Sequence, residues 1–373
     1  MPDTIVLKFG GSSLKDELSQ EAAVRHVRQT IEEGFQTAVV VSAMGRAGDP
    51  YATDTLINLL RSTGEPVSPR ELDLIMSSGE IISAAFFAHL LTMRDLPSRA
   101  FTGQQAGLIT DNNPGTAEII DIHPEKIKEA LDNGLVAIVA GFQGVDLKGE
   151  IHTLGRGGSD ISAVVLGSAL LAQRVEIFSD VKGVAICDPR QIPKVPFLKD
   201  INSTQLLAMA EEGSTILHPK AIKVSQEMKI PLRLRSTFSQ DLGTFIFHEP
   251  RKERVKPVSL AHLEKQILIH FPPETRPAEL VPELVDVGKN RFLLLDDVYS
   301  QQRVTRLLEA YQDLKYDYHW GTVTVLFSGE TRDDPPDISR AEIIPSPPDR
   351  WRYLLRDKDI TTTLQLLYKK YFT

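Results

Sequence analysis

The sequence predicts an α/β protein built on a mostly parallel sheet with helices on both faces, followed by a small α+β region. Two observations carry this expectation. Apolar runs of strand length alternate with apolar residues at helical spacing from Thr4 to about residue 247, and glycines punctuate the joints. Beyond Phe247 the segment HEPRKERVKPV is charged, holds two prolines and has no periodicity, so it reads as a linker over 248–257 between domains at 1–247 and 258–373.

Taken in order, Thr4 to Phe9 is a short apolar run with Lys8 near its end, read as a strand, and Gly10 and Gly11 follow as a turn of phosphate size. Val24, Val27 and Ile31 then repeat at helical spacing, Gly34 supplies the stop, and Thr37 to Val41 is the next strand. A similar unit runs from Ile122 to Ala140. Pro124 stands where a helix begins, Ile127, Ala130 and Leu131 share a face, Gly134 closes it, and Leu135 to Ala140 is a buried type of strand. Ile161 to Ala172 is small and apolar enough for a tightly packed helix and leads to a strand at Val175 to Phe178. The C-terminal region holds short strands, two helical stretches and a proline-rich patch from Asp333 to Pro348 that reads as exposed loop.

The 373 residues, 42% hydrophobic, suffice for a sizeable core in two domains. With 42 basic against 50 acidic side chains the net charge is −8, which removes the basic footprint expected of a nucleic-acid or anionic-lipid partner. The single cysteine, Cys187, rules out an internal disulfide framework, suits a reducing compartment and reads as a small buried side chain. The start MPDTIVLKF has no basic n-region, and no apolar run approaches the roughly 20 residues that cross a bilayer, so the expected location is the cytoplasm.

The densest chemistry lies at Thr153 to Asp160, TLGRGGSD, which packs three glycines, a guanidinium, a hydroxyl and a carboxylate together. Glycines let backbone N–H groups approach a phosphate, Arg156 offers a planar fork to a carboxylate or phosphate, and Asp160 can position a cation. KFGGSS, from Lys8 to Ser13, is a second anion-friendly turn. No GxxxxGK(S/T) occurs, GRGGSD puts Asp160 where GxGxxG requires a glycine, and neither HRD nor DFG is present. A P-loop, a dinucleotide fingerprint and the protein-kinase set are thereby excluded.

Seven strings, KFGGSSL (8–14), VVVSAMG (39–45), SSGEIIS (77–83), GFQG (141–144), TLGRGGSD (153–160), SDVKGV with DPR (179–184, 188–190) and PLRLRS (231–236), stand in an order and spacing that resembles aspartate kinases, members of the amino acid kinase superfamily. The resemblance covers about two thirds of the chain. It implies the amino acid kinase fold, a three-layer αβα sandwich. It also implies transfer of the γ-phosphoryl group of MgATP to the side-chain carboxylate of L-aspartate, giving 4-phospho-L-aspartate on the route to lysine, threonine and methionine. A carboxylate of pKa about 4 is already ionised at neutral pH and needs no general base. The demand therefore falls on positioning and on cations that offset the repulsion between nucleophile and triphosphate.

By the same resemblance Lys8 contacts the transferring phosphoryl group and Asp160 holds that lysine or the metal, which is compatible with capping the helix that follows. Arg156 would grip a substrate carboxylate, Glu80 would receive the α-ammonium, and Ser42, Thr53 and Ser159 would add substrate contacts. Lys8, Gly10, Gly11, Ser12, Ser179, Asp180, Gly183 and Arg190 would form the nucleotide side at the carboxyl edge of the sheet. No side chain is assigned as a direct metal ligand. Two positions depart from the family: Ala185 stands where a tyrosine usually lies along the nucleotide, and Thr215 where a lysine usually reaches the phosphates. Lys220 and Lys182 are the candidates to compensate.

The tail resembles a shortened pair of ACT domains. One unit would comprise Gln266 to Phe271, a helix-like Ala278 to Val287, Phe292 to Leu295, a helix-like Gln301 to Leu314 and Thr322 to Phe327. Glu342, Trp351–Leu355 and Thr361–Tyr371 would be the remainder of a second, with a helix missing between Gly329 and Arg340. PPETRPAEL fills the place of the effector loop, where prolines lack the N–H donors that an effector carboxylate needs. The tail is thus expected to serve homodimer assembly. The alternative reading, to which Ala185, Thr215 and the shortened tail point, is a non-catalytic or weakly active relative that binds an amino acid or regulates an active subunit.

Overall fold

A computed structural model of the chain describes residues 3–214, 216–249, 254–272, 284–296, 300–311, 313–331 and 333–373. They fall into two units. The first takes Met1–Val184, Phe197–Leu206 and Ile216–Glu249, and the second takes Ala185–Pro196, Leu207–Thr215 and Pro250–Thr373. The division is not a single cut at the charged segment, because two excursions of the chain, 185–196 and 207–215, pack with the C-terminal residues.

From the N-terminus the elements are β1 (Thr4–Phe9), α1 (Glu17–Glu32), β2 (Gln36–Val41), α2 (Thr53–Arg61), α3 (Pro69–Thr92), β3 (Ser98–Phe101), β4 (Leu108–Thr110) and β5 (Ile119–Ile122). Next come α4 (Glu125–Asp132), β6 (Val136–Ala140), β7 (Gln143–Val145), β8 (Ile151–Thr153), α5 (Gly158–Ala169), β9 (Arg174–Ser179), β10 (Asp200–Asn202), α6 (Ser203–Glu211), α7 (Pro219–Glu227), β11 (Leu232–Ser236) and β12 (Thr244–Phe247). Eight strands form one sheet in the order β10-β12-β11-β9-β1-β2-β6-β3. It is parallel from β11 to β3, whereas β12 runs antiparallel to β11. A smaller sheet, β5-β4-β7-β8, lies in the same unit.

The central strands are apolar along their length because helices cover both of their faces. Alternation along the strands sends Ile5, Leu7 and Phe9 to one face with Val39, Val41, Ile138 and Ala140, where they meet Ala23, Val24 and Val27 of α1 and Ala84, Phe87 and Leu91 of α3. Val6 and Lys8 take the other face. There α5 comes so close that a Cβ on Gly167 would sit 2.5 Å from Val175 and 3.7 Å from Val6. Two helical layers around a mostly parallel sheet make this unit an αβα sandwich. One expectation is corrected here: α3, with 24 residues, is long and apolar enough to cross a bilayer by length and composition. It serves instead as a core helix, with Asp73, Glu80 and Phe87 all buried.

The second unit adds β13 (Pro257–His270), β14 (Val285–Gly288), β15 (Arg291–Leu295), α8 (Ser300–Ala310), β16 (Lys315–Phe327), β17 (Glu342–Ile344), β18 (Arg350–Arg356) and α9 (Asp357–Tyr371). Its sheet is antiparallel, in the order β14-β15-β13-β16-β18-β17. Two halves repeat: a long strand, a connection, a hairpin and a helix, with β13 and β16 paired at the centre. The helix expected over 278–287 is corrected in part, since Val285–Gly288 is an edge strand and 273–283 lie outside the described residues. The PPETRPAEL reading falls in that same undescribed stretch apart from Pro272, and 250–253 of the charged segment are likewise undescribed. The helix expected to reach Leu314 ends at Ala310, before Asp313 turns the chain through left-handed backbone (φ 65) into β16. Within the proline-rich patch, Glu342–Ile344 pairs as β17.

Segment 207–215 is fastened inside this unit by Glu212, which is buried and accepts hydrogen bonds from Thr324 Oγ1 at 2.8 Å, Arg350 Nη1 at 3.0 Å and Arg352 Nε at 2.8 Å. Gly213 (φ 104) follows, where a Cβ would lie 2.1 Å from the His262 carbonyl oxygen. Removing one partner of a buried ion pair strands the other charge, at a cost of about 3–5 kcal/mol. Glu212→Ala is expected to lower the thermal midpoint by several degrees and Glu212→Gln by less. An Ala variant that melts with the wild type would show that both arginines relax into water.

Candidate active site

Alternation along β1 places Lys8 on the face covered by α5, and Lys8 Nζ lies 2.7 Å from Asp160 Oδ1 with both side chains largely covered. The contact is one of charge, since that oxygen receives no aligned hydrogen bond. Asp160 stands in the first turn of α5, which starts from Gly157 in left-handed backbone (φ 76). A carboxylate there is favoured by the helix dipole as well as by the lysine.

The loops after β9, β1, β2 and β6 converge at the carboxyl ends of adjacent strands, the edge at which parallel sheets bind ligands. After β1, Gly11–Ser13 forms a single 3-10 turn containing Ser12. The Ser42 N–H donates to the Phe9 carbonyl at 3.1 Å, and the Gly45 N–H to the Gly11 carbonyl at 3.1 Å. Only glycine fits at position 11, where a Cβ would fall 2.5 Å from the Ala43 carbonyl oxygen. Below the turn, the Ser13 and Thr237 hydroxyls share a hydrogen bond of 2.7 Å, and His26 Nε2 faces the Thr237 carbonyl at 3.0 Å. Burial, with the Arg235 charge adding to it, holds His26 down at about 4, so the ring is neutral at physiological pH. On the other side of β1, Ser179 ends β9 and its hydroxyl accepts the Val181 N–H, while exposed Asp180 pairs with Arg46 at 2.8 Å. Gly183 is buried, with a would-be Cβ 2.5 Å from Thr244 Oγ1.

Glu80 reaches the same place from α3. At Gly79 the Ala43 side chain, the Leu56 side chain and the Tyr51 carbonyl all come within 3.1 Å of where a Cβ would be, so the loop after β2 and the start of α2 at Thr53 lie against the helix. Glu80 is 3% exposed; its Oε1 accepts the Ala43 N–H at 3.0 Å, and its Oε2 has no hydrogen-bond partner among the described residues. Burial pushes its carboxyl up to about 8, against the pull of the Ala43 N–H and of the Lys8 ammonium. A buried carboxylate with one unsatisfied oxygen is a receptor for a cation.

The remaining expected residues are distributed as follows. Ser159 is buried, its Cβ 3.0 Å from where a Cβ on Gly141 would stand. Arg156 is exposed and has no ion pair among the described residues. Arg190 belongs to the second unit and forks onto Asp188 at 3.0 and 2.7 Å. Ala185 is part of that unit's apolar core together with Cys187, whose thiol burial pushes up to about 12. Thr215 lies outside the described residues, Lys182 is exposed, and Lys220 pairs with Glu118 at 3.2 Å. No cluster of three or more His, Cys, Asp or Glu fit to hold a metal occurs among the described residues. An apolar hollow of about 420 Å³, lined by Leu60, Leu74, Ile75, Ile81 and Ile151 among others, touches none of Lys8, Glu80 and Asp160.

Two buried acids escape a motif reading. Glu176 of β9 is held by Arg174 Nε at 2.7 Å and Arg235 Nη1 at 2.8 Å, with Arg235 also over the Phe178 ring. PLRLRS contains the arginine, but its partner emerges only from the parallel register that sets Arg233 beside Glu176. Asp73 precedes Glu80 by two helical turns and so shares its side of α3, a spacing that the sequence does display.

The chain matches the family model described as Amino acid kinase family over residues 3–236. It is 43% identical to Aspartokinase 1 of Bacillus subtilis (strain 168) over 242 residues, 65% of this chain and 60% of that protein. It is 40% identical to the aspartokinase of Thermus thermophilus over 242 residues, 65% of this chain and 58% of that one. The chain thus matches about 60% of the length of these curated relatives. In fold it is similar to the crystal structure of E. coli aspartokinase III in complex with aspartate and ADP, with TM-score 0.77, 20% identity and 100% of both chains covered.

The buried Glu80 gives the site a pH signature. Its carboxyl is raised from an ordinary 4.5 to about 8, so ionising it in the folded protein costs stability. The penalty is absent below the unfolded value, grows as pH rises between the two and is complete above the folded value. Glu80→Gln is therefore expected to melt above the wild type at pH 8, with the gap closing as pH falls towards 4.5. A gap independent of pH would mean that the ionisation of Glu80 is not what burial opposes.

Proposed function

This chain belongs to the amino acid kinase family, and from that premise we propose that it transfers the γ-phosphoryl group of MgATP to the side-chain carboxylate of L-aspartate. The observation that carries the reading is the pattern of charge at one edge of the sheet. Lys8 is a fixed cation for a phosphoryl group, Glu80 is a buried carboxyl with an unsatisfied oxygen that an arriving α-ammonium would ionise and pair with, and Arg156 keeps its guanidinium for a carboxylate. An α-amino dicarboxylate fits that set. The relatives named aspartokinase, and the fold neighbour solved with aspartate and ADP, support the same choice.

In this reading a carboxylate oxygen attacks the γ-phosphorus, the bond from that phosphorus to the β–γ bridging oxygen breaks, and ADP leaves with the electron pair. No proton moves. The nucleophile is ionised at neutral pH, so the protein's part is to align two anions and to offset their repulsion. Lys8 supplies charge at the phosphoryl group, Asp160 fixes its ammonium, and the turn at Gly10, Gly11 and Ser12 presents backbone N–H groups. Ser42, Thr53 and Ser159 complete the acceptor side, and Ser179, Asp180 and Gly183 form the nucleotide side. Mg²⁺ arrives with the nucleotide as part of that substrate. Residues 1–247 would be the catalytic domain. Residues 258–373 would be a shortened ACT-like module for homodimer assembly, a reading that the repeated halves of the second unit support. A product on the route to lysine, threonine and methionine and a cytoplasmic location follow from the same proposal.

Coupled ADP release with aspartate, with glutamate and without acceptor tests this directly. Saturable release with aspartate alone is expected, and release independent of acceptor would overturn the reading. Lys8→Ala should lower kcat by roughly 10²–10³, the scale of losing one transition-state charge contact, while calorimetry finds aspartate binding within a few-fold. Arg156→Lys should raise the aspartate KM, because a point charge cannot reproduce a two-point grip. Wild-type kcat in the first variant or wild-type KM in the second would remove that residue from its role.

A further inference from the structure

Thr153, the first residue of TLGRGGSD, is completely buried, and its N–H and hydroxyl end on α3. Asp73, also fully buried, accepts the Thr153 N–H at 3.1 Å and the Gly115 N–H at 2.9 Å on Oδ2, and the Thr153 hydroxyl at 2.6 Å on Oδ1. The Ala117 N–H closes the layer by donating to the Thr153 carbonyl at 3.0 Å. One carboxylate therefore ties two backbone segments together at the root of the strand of chain that carries Arg156 and Asp160. Hydrogen bonds to an ionised acceptor are about twice as strong as neutral ones, and a buried carboxylate persists only where such donors surround it.

His152 sits beside this clamp, 3% exposed, and neither ring nitrogen has a hydrogen-bond partner among the described residues. The ionisable groups set against it are two carboxylates: Asp73 of α3, 3.7 Å from Nδ1, and Asp146 of the turn after β7, 3.6 Å from Nε2. Asp146 is itself buried and accepts the backbone N–H groups of Lys148 and Glu150.

Resting on the proposed phosphoryl transfer to aspartate, we propose that Asp73 is a positioning residue for the acceptor, with the buried His152 ring packed between the Asp73 and Asp146 carboxylates. Asp73 and Glu80 lie on one side of one rigid helix, two turns apart. That helix fixes both the ammonium receptor and the root of the Arg156 segment, so it sets the distance between the two ends of the acceptor and hence which dicarboxylate fits. Asp73 touches no substrate and acts through Thr153.

The test uses full-length Asp73→Ala, Asp73→Asn and His152→Gln, with KM for aspartate, glutamate and ATP and with backbone amide exchange at Gly115 and Thr153. Asp73→Ala is expected to raise the aspartate KM about tenfold, to leave the ATP KM within about twofold and to erode the preference for aspartate over glutamate. Asp73→Asn should recover most of this, since its oxygen still accepts both N–H groups while the Thr153 hydroxyl turns to accept from the amide. His152→Gln removes the ring packed between the two acids and is expected to lower amide protection at Gly115 and Thr153 relative to the wild type. Equal rises in both KM values with no rescue by Asn, or unchanged protection at Gly115 and Thr153 in His152→Gln, would overturn the proposal. If Asp73→Ala does not fold, His152→Gln decides through exchange, where unchanged protection at Thr153 rejects the clamp. Should the wild type release no ADP with aspartate, the kinase reading fails, and that same exchange measurement judges the clamp separately.

Discussion

A lysine on a strand buried on both faces needs an anion within reach, and the Lys8–Asp160 contact of 2.7 Å meets that need. Much else follows from it. Asp160 must enter from the helix side of the sheet, which requires α5 to start at the carboxyl end of the strands, and that start depends on Gly157 adopting left-handed backbone. Because β9, β1, β2 and β6 are neighbours and parallel, their following loops come to the same edge as this pair. The glycine turn at 10–11 is then forced by the Ala43 and Gly45 carbonyls that crowd it. One ion pair and one strand direction thus locate the site before any substrate is considered.

The buried acids separate structural from chemical roles. Glu176 and Glu212 are each held by arginines, and Asp73 by two backbone donors and a hydroxyl. Glu80 alone of these four keeps a buried oxygen without a hydrogen-bond partner among the described residues, and burial raises its carboxyl far from the ordinary value. Removing a carboxylate from water without full compensation is unfavourable, so its persistence near the Lys8 ammonium is better explained by a ligand than by the fold.

The parts legible in the sequence are those whose physics is local. β1, β2 and β6 are covered on both faces, so they are apolar along their length, and α1 and α4 bury one stripe each, so they show helical spacing. Lys8, Glu80 and Asp160 stand inside motifs that the fold brings to one edge. What stayed hidden depends on pairings over long separations. β4, β7 and β8 have three residues each, too few to display alternation. Ala185 and Arg190 follow β9 in a motif that reads as one stretch, yet they pack with the second unit. The two halves of that unit share topology and not residues, so no sequence period announced them. Asp73 was visible as an acid in an apolar helix, but its three donors come from residues 115 and 153.

α3 shows how those distant pairings are made dependable. Gly79 is a poor helix former, roughly 1 kcal/mol worse than alanine, yet a side chain there would collide with Ala43, Tyr51 and Leu56. The helix tolerates that weakness because Phe87 and Leu91, further along it, bury completely against the sheet. Tertiary packing, rather than helix propensity, therefore holds straight the segment that carries both Asp73 and Glu80. Placing both acids on one packed helix, instead of on two loops, keeps their separation fixed while the exposed Arg156 stays free to meet a ligand.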